Sequence, residues 1–296
     1  MIGLGKLIKR NIKMFFKDKG LFFTSLITPL ILLVLYISFL GNVYRDSFKM
    51  AFPQGVEIPE QLLSAAVGGQ LISSLLAVCC VTVAFCSNML MVQDKVTGAR
   101  KDFMMTPVKG STLALGYYVS TLVSTLIICL VAMGAGFLYL GKVGWHLSGR
   151  DVVCLLLDVF LLVMFGVALS SIINVALSTQ GQISAVGSMV SSMYGFLCGA
   201  YMPISQFSEG LQKVISFLPG TYATSLLRNH ALRGVFAGLE AEGYSNELIQ
   251  VLRDSIDCNV YFFGENVGIP VMYTVLGVSV VVLVGIYVIL NVVKKK

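Results

Sequence analysis

Six continuous apolar runs divide the chain, near residues 21 to 40, 63 to 91, 112 to 140, 152 to 173, 183 to 202 and 270 to 292. Each reaches the roughly 20 residues that a helix rising 1.5 Å per residue needs to cross a hydrocarbon core of about 30 Å. The apolar positions follow one another without the alternation of a barrel strand, and an open strand would leave its backbone groups unsatisfied in lipid. The pattern predicts an all-α integral membrane protein with six transmembrane helices, forming a single transmembrane domain over residues 1–296.

Outside these runs the period becomes amphipathic. In residues 3–19, Leu4, Ile8, Ile12 and Phe15 share one helical face while Lys6, Lys9, Lys13 and Lys17 lie opposite, which predicts a helix lying flat at the membrane interface. It is either a lever or docking surface or simply a basic flank that sets topology. Its first apolar run starts only after Gly20 and is long enough to stay in the membrane, unlike a cleavable signal peptide. Between the second and third runs, VQDKVTGARKDFMMTPVKG (Val92 to Gly110) offers Asp94 as a helix cap and Thr106-Pro107 as a stop, predicting a short charged helix over 94–106. A four-residue turn would have joined the two runs, so the extra length implies a surface that something docks against; the alternative is a solvated loop.

The stretch 203–233 is punctuated by proline. Pro203 ends the fifth run, Ser208 can cap a new helix with Leu211, Val214, Ile215 and Leu218 as its apolar stripe, and Pro219 breaks it again. Two short helices dipping back into the membrane would fit, with Pro203, Phe207, Pro219 and Tyr222 shaping a gate or else an exterior loop. Residues 234–269 then form an extracellular cap, with a small amphipathic helix from Ser245 onward.

Composition agrees with the pattern. The chain is 56% hydrophobic and 12% charged, against about 25% charged for a soluble domain. Lys and Arg flank the apolar runs: one side, holding both termini, carries thirteen basic and three acidic residues, and the other eight basic and eleven acidic. The basic side, with its Lys294-Lys295-Lys296 tail, is the cytoplasmic one, in a cell membrane. The net charge of +6 points to anionic lipid headgroups and not to nucleic acid, because no basic face is interleaved with stacking aromatics.

Chemistry-bearing motifs are sparse. Seven cysteines, six of them inside apolar runs, make no disulfide framework, and there is no CxxC, HExxH or GxxxxGK[ST]. No catalytic residue and no metal site is assigned, and no cofactor is expected on this chain. Asp158 is the single acidic group well inside a run; an insertion cost of about 2.5 to 3.5 kcal/mol requires that it face a partner or water, as a structural hydrogen bond or in a path. Asp151 lies one heptad before it. Gly187, Ser191, Gly195 and Gly199 recur every fourth residue, allowing close helix packing within the chain, or a path wall or dimer contact.

The segment QDKVTGARKDFMMTPVKG resembles the cytoplasmic segment of type 2 ATP-binding cassette exporter permeases, and the likeness continues in RNIKMFFKDKGLFFTSLITPLI (Arg10 to Ile31), in YMPISQF (Tyr201 to Phe207) and in FLPGTYATSLLRNHALRGVFAG (Phe217 to Gly238). Gln93 departs from the Glu frequent there, with Asp94 next to it to supply the charge. The resemblance implies a permease subunit paired with a second copy or a sibling permease, and two separate cassette ATPase subunits that bind ATP and Mg. It makes 94–106 the coupling helix, carried by Asp94, Lys95, Thr97, Gly98, Arg100, Lys101, Phe103, Met104 and Pro107. Thr97, Arg100, Lys101, Phe103 and Met104 would touch the ATPase, with the amino-terminal helix bracing the segment.

Three function classes remain. An ATP-driven exporter of drugs, antibiotic peptides or lipid-like molecules accounts for the coupling helix, the proline-broken hairpin and the missing phosphate loop together. An ion-coupled secondary transporter or channel wants charges near the midplane and inverted repeats, for which Asp158 alone speaks. A membrane-embedded lipid enzyme wants a His, Asp or Ser constellation at a span end, and the sequence shows none.

Overall fold

A computed structural model describes residues 3–51 and 58–293; the basic tail Lys294 to Lys296 lies outside them. Among the described residues, five helices are long and apolar enough to cross a membrane: Lys19–Lys49, Glu60–Val96, Gly110–Val143, Gly149–Ala176 and Ile269–Val293. The protein is an all-α, multi-pass membrane protein.

The amino-terminal helix α1 (Leu4–Lys17) turns into α2 (Lys19–Leu35) at Asp18, whose side chain caps α2 by accepting from the Leu21 N–H. The first crossing is longer than the expected 21 to 40, because a π-helical turn (Tyr36–Leu40) carries α2 without a break into α3 (Gly41–Ala51). The extra residue per turn seats Tyr36 in the core.

At the centre stands α4 (Glu60–Ser87), buried on all sides from Ala65 to Phe85. A helix apolar all round suits this position. Its hydroxyls bond its own backbone, Ser73 to the Gln70 carbonyl and Thr82 to the Val78 carbonyl. Around α4 pack α2, α7 (Gly110–Val143), α8 (Gly149–Ala176), α9 (Gln180–Leu197) and α11 (Pro219–Ala241). Small residues set the spacing: a Cβ at Gly166 of α8 would meet the Cys80 carbonyl at 3.0 Å.

The expected fifth run, 183 to 202, ends early. Helix α9 stops at Leu197, and its glutamines, serines and glycines together keep it out of the group of five long apolar helices. Gly199, expected on the helix, lies beyond it in a left-handed turn, φ +73°. The two short helices expected in 203–233 are also revised. Helix α10 (Glu209–Ile215) is short, but α11 starts with Pro219 in its first turn and runs 23 residues, past 233 into the expected cap. Thr221 and Tyr222 donate to the carbonyls of Ile215 and Ser216 at 3.0 and 2.5 Å, fastening the tight turn between the two helices. The cap retains α12 (Asn246–Ser255), started by Ser245 accepting from the Leu248 N–H, and a two-residue hairpin, β1 (Tyr261–Phe262) with β2 (Glu265–Asn266). The chain ends in α13 (Ile269–Val293).

Candidate functional site

The segment between α4 and α7 does not form one helix from Asp94. It forms α5 (Met89–Val96), a left-handed break at Gly98, φ +85°, and α6 (Ala99–Met105). Asp94 caps nothing: it is buried near the end of α5 and accepts from three donors. Arg10 of α1 grips it with both terminal nitrogens, at 2.6 and 2.9 Å, and the Tyr117 hydroxyl of α7 donates at 2.6 Å. The carboxylate raises the pKa of the Arg10 guanidinium above its ordinary value. Arg10 also stacks over the Phe103 ring of α6, 5.0 Å from its centroid.

The other ties run to α8 and α13. Lys95 donates to the carbonyls of Asn174, Val175 and Leu177 at 2.5, 3.0 and 2.8 Å, neutralising the negative end of α8. Asn88 donates to Ser170 and Ser171 at 3.0 and 2.9 Å, and the Asn174 amide donates to the Asn88 carbonyl at 3.3 Å. Arg100 is buried and donates to the Asn291 side chain of α13 at 2.7 Å. The α5–α6 segment is thus fastened to α1, α7 and α8 through α5 and to α13 through α6.

These ties revise which residues face outward. Thr97, Lys101 and Pro107 are exposed, Phe103 and Met104 half-buried, and Arg100 points into the bundle, away from any docking surface. Met105, not singled out from the sequence, is the most exposed large apolar residue of the segment at 86%, with Val96 beside the break at 53%. Read with α6 starting at Ala99, the spacing Lys101, Asp102, Met105 marks one helical face.

Helix α1 does more than lie flat. Its buried positions are Leu7, Asn11 and Phe15, a face rotated from the expected Leu4, Ile8, Ile12 and Phe15, while Lys6, Lys9, Lys13 and Lys17 are exposed. Leu7 sits where a side chain on Gly116 would collide, and Asn11 donates to the Ser120 hydroxyl at 3.3 Å, so α1 is seated on α7.

At the opposite end of the bundle, α11 supplies a second set of buried polar contacts. Asp158 of α8 meets Nδ1 of His230 at 2.6 Å and accepts from the Tyr273 hydroxyl of α13 at 2.5 Å. Asp151 pairs with Arg233 and closes a capping box with Ser148. Arg228 bonds Asp257 at 3.0 Å and the Gly199 carbonyl, while the same carboxylate accepts from the Ile204 N–H at 2.9 Å. Burial pushes the Asp257 carboxyl above the usual range, with Arg228 opposing. The Cys258 carbonyl accepts from Ser225 and Asn229 at 2.7 and 2.5 Å, and burial pushes its thiol up to about 12. His230 and Arg228 carry no signal as core residues in the sequence, nor does the half-exposed Arg233 as a partner; only the Asp151–Asp158 heptad hinted at partners.

Of the expected gate residues, Tyr222 is buried, while Pro203, Phe207 and Pro219 are partly buried. The small-residue series divides: Gly187 and Ser191 are half-buried on α9 and Gly195 lies under the Tyr201 ring. Pro219 and Gly220 line a cavity of about 490 Å³ together with Phe165 and Leu169 of α8, Met189 and Met193 of α9, and Val282 and Leu283 of α13.

A family model described as ABC-2 type transporter matches residues 4–231, from α1 to the middle of α11. No curated protein matches the chain.

Proposed function

The chain belongs to the ABC-2 type transporter family, as the transmembrane component of such a transporter, and we propose that it is the membrane subunit of an ATP-driven exporter. ATP and Mg are handled by separate cassette ATPase subunits. In this reading the α6 end of the bundle, rich in Lys, faces the cytoplasm of the cell, α9 completes six crossings, and a second copy or a sibling permease completes the path. The observation that carries it is the α5–α6 segment: bound through Asp94 to Arg10 of α1, through Lys95 to the end of α8 and through Arg100 to α13, it leaves Lys101, Asp102 and Met105 of α6 outward. A push on that face moves α1, α8 and α13 together.

The cargo is amphipathic or hydrophobic: a drug, an antibiotic peptide or a lipid-like molecule. Supporting this, the cavity of about 490 Å³ at the foot of α11 is walled almost wholly by apolar side chains. The α10–α11 turn, set beside Ser279 and Leu283 in the middle of α13, makes the pair a re-entrant hairpin closing the path from outside. The test is to express the chain with an ATPase subunit, reconstitute both in nanodiscs and screen compounds for stimulated hydrolysis. Failure of any cassette ATPase to bind the chain sinks the reading. The second reading, ion-coupled transport, has the Asp158–His230 pair in its favour; cargo flux driven by a pH gradient in vesicles holding the chain alone would establish it.

A further inference from the structure

Three crossings end around one cleft of about 330 Å³: the start of α7 at Gly110 and Leu113, the end of α8 at Val175 to Ser178, and the end of α13 at Asn291, with Lys95, Arg100 and Lys101 on the fourth side. Where the ends of spanning helices meet, hydrocarbon gives way to headgroups, so the cleft lies at headgroup depth. Its walls combine apolar side chains, Met104, Leu113 and Leu177, with three cations, and no acidic residue lines it. The nearest carboxylate on α5, Asp94, is already bound by Arg10 and Tyr117.

Arg100 makes this more than a basic patch. It is 8% exposed; one terminal nitrogen, Nη2, donates to Asn291 at 2.7 Å, while the other, Nη1, is buried with no hydrogen-bond partner. A charged donor held out of water and left unpaired is costly, so such a group implies an acceptor that completes it. Guanidinium forks suit phosphate oxygens, and the surrounding lysines leave positive charge that a zwitterion would not neutralise.

We propose that this cleft binds the phosphate of an anionic phospholipid, with Arg100 Nη1 as its buried donor, Lys101 at its mouth, and the apolar wall taking the first part of the acyl chains. The lipid joins α6 to the ends of α7, α8 and α13. The site does not depend on the transport reading, because its occupancy is measured on the permease chain without any ATPase.

The test is native mass spectrometry of the full chain from nanodiscs containing phosphatidylglycerol or phosphatidylcholine, followed by titration of each lipid into delipidated protein in detergent. The expected result is one tightly held phosphatidylglycerol per chain, with affinity lowered about tenfold in Arg100→Gln, the worth of one charge-assisted hydrogen bond. Lys101→Glu, at an exposed position that leaves the fold alone, weakens it several-fold even if Arg100→Gln does not fold. Equal retention of the two lipids, or unchanged affinity in folded Lys101→Glu and Arg100→Gln, overturns the proposal. Displacement of phosphatidylglycerol by millimolar inorganic phosphate, with no preference for the lipid, reassigns the cleft to a free anion. If Arg100 becomes protected only when an ATPase is added, its partner is a protein carboxylate and the lipid site is refuted.

Discussion

Arg10 and Asp94, 84 residues apart, face each other fork to fork, with both guanidinium nitrogens on both carboxylate oxygens at 2.6 and 2.9 Å. The pair locks the amino-terminal helix to the end of α5. Asp94 is buried while the Arg10 side chain keeps 30% of its exposure. Removing the arginine therefore strands a carboxylate with the Tyr117 hydroxyl alone, and removing the carboxylate frees an arginine that can reach water. Arg10→Ala is expected to destabilise by about 2 kcal/mol, below the roughly 3 to 5 of a fully buried pair, and Asp94→Asn by less. Thermal unfolding of the two variants in detergent measures the difference; equal effects would show that the pair contributes only local hydrogen bonding.

The outward face of α6 makes an opposite pair of predictions at neighbouring residues. Met105→Glu alters a side chain that touches little, so stability should stay within about 0.5 kcal/mol while copurification with the cassette ATPase falls about tenfold. Arg100→Ala removes a buried contact to Asn291 and should lower the melting temperature first. Affinity capture and melting curves on the same preparations separate the two. An unchanged complex in Met105→Glu would move the docking face elsewhere.

Five of the expected crossings were legible because a continuous apolar run has one physical solution in lipid. The joints were not. Asp94 reads as a helix cap from its neighbours, and nothing local announces that its partner is Arg10. The one local clue to the true break was Gly98, a residue that adopts φ +85° without strain. Helix α11 was hidden for the opposite reason: Thr221, Ser225, Arg228, Asn229 and His230 give it the polarity of an exterior loop, and their burial is made tolerable by partners distant in sequence, Asp257 for Arg228, Asp158 for His230 and the Cys258 carbonyl for Ser225 and Asn229. Nothing in the sequence marks Met105 as outward: that follows from Arg100 turning inward to Asn291 of α13, a partner 191 residues away.

Cys258 offers a test of the cap. With its thiol pushed up to about 12, it stays protonated at neutral pH, and at pH 8 only about one molecule in ten thousand carries the reactive thiolate. Alkylation of Cys258, followed by peptide mass spectrometry, should be slower than that of a free cysteine by about three orders of magnitude. Its rate should rise about tenfold from pH 8 to pH 9, since each pH unit below the pKa multiplies the thiolate tenfold. Rapid labelling at pH 7 would mean that the segment after α12 opens away from Ser225 and Asn229.

Asp158 decides between a clamp and a path. Both of its oxygens are engaged, one by His230 and one by Tyr273, and it is 1% exposed. Water has no room to approach it, and the three groups come from three helices, α8, α11 and α13, whose relative position they fix. A group of this kind should tolerate replacement that keeps its shape and polarity and resist replacement that does not. Asp158→Asn is expected to keep the fold and cargo-stimulated ATP hydrolysis within about threefold. Asp158→Leu, which leaves the buried His230 imidazole and the half-buried Tyr273 hydroxyl without this partner, should cost about 2 to 4 kcal/mol and reduce the amount of folded protein recovered. If Asp158→Asn instead melts like the parent chain while transport disappears, the carboxylate's charge is used in the transport cycle, and the interface of α8 with α11 is then part of the path and not merely the frame that holds it.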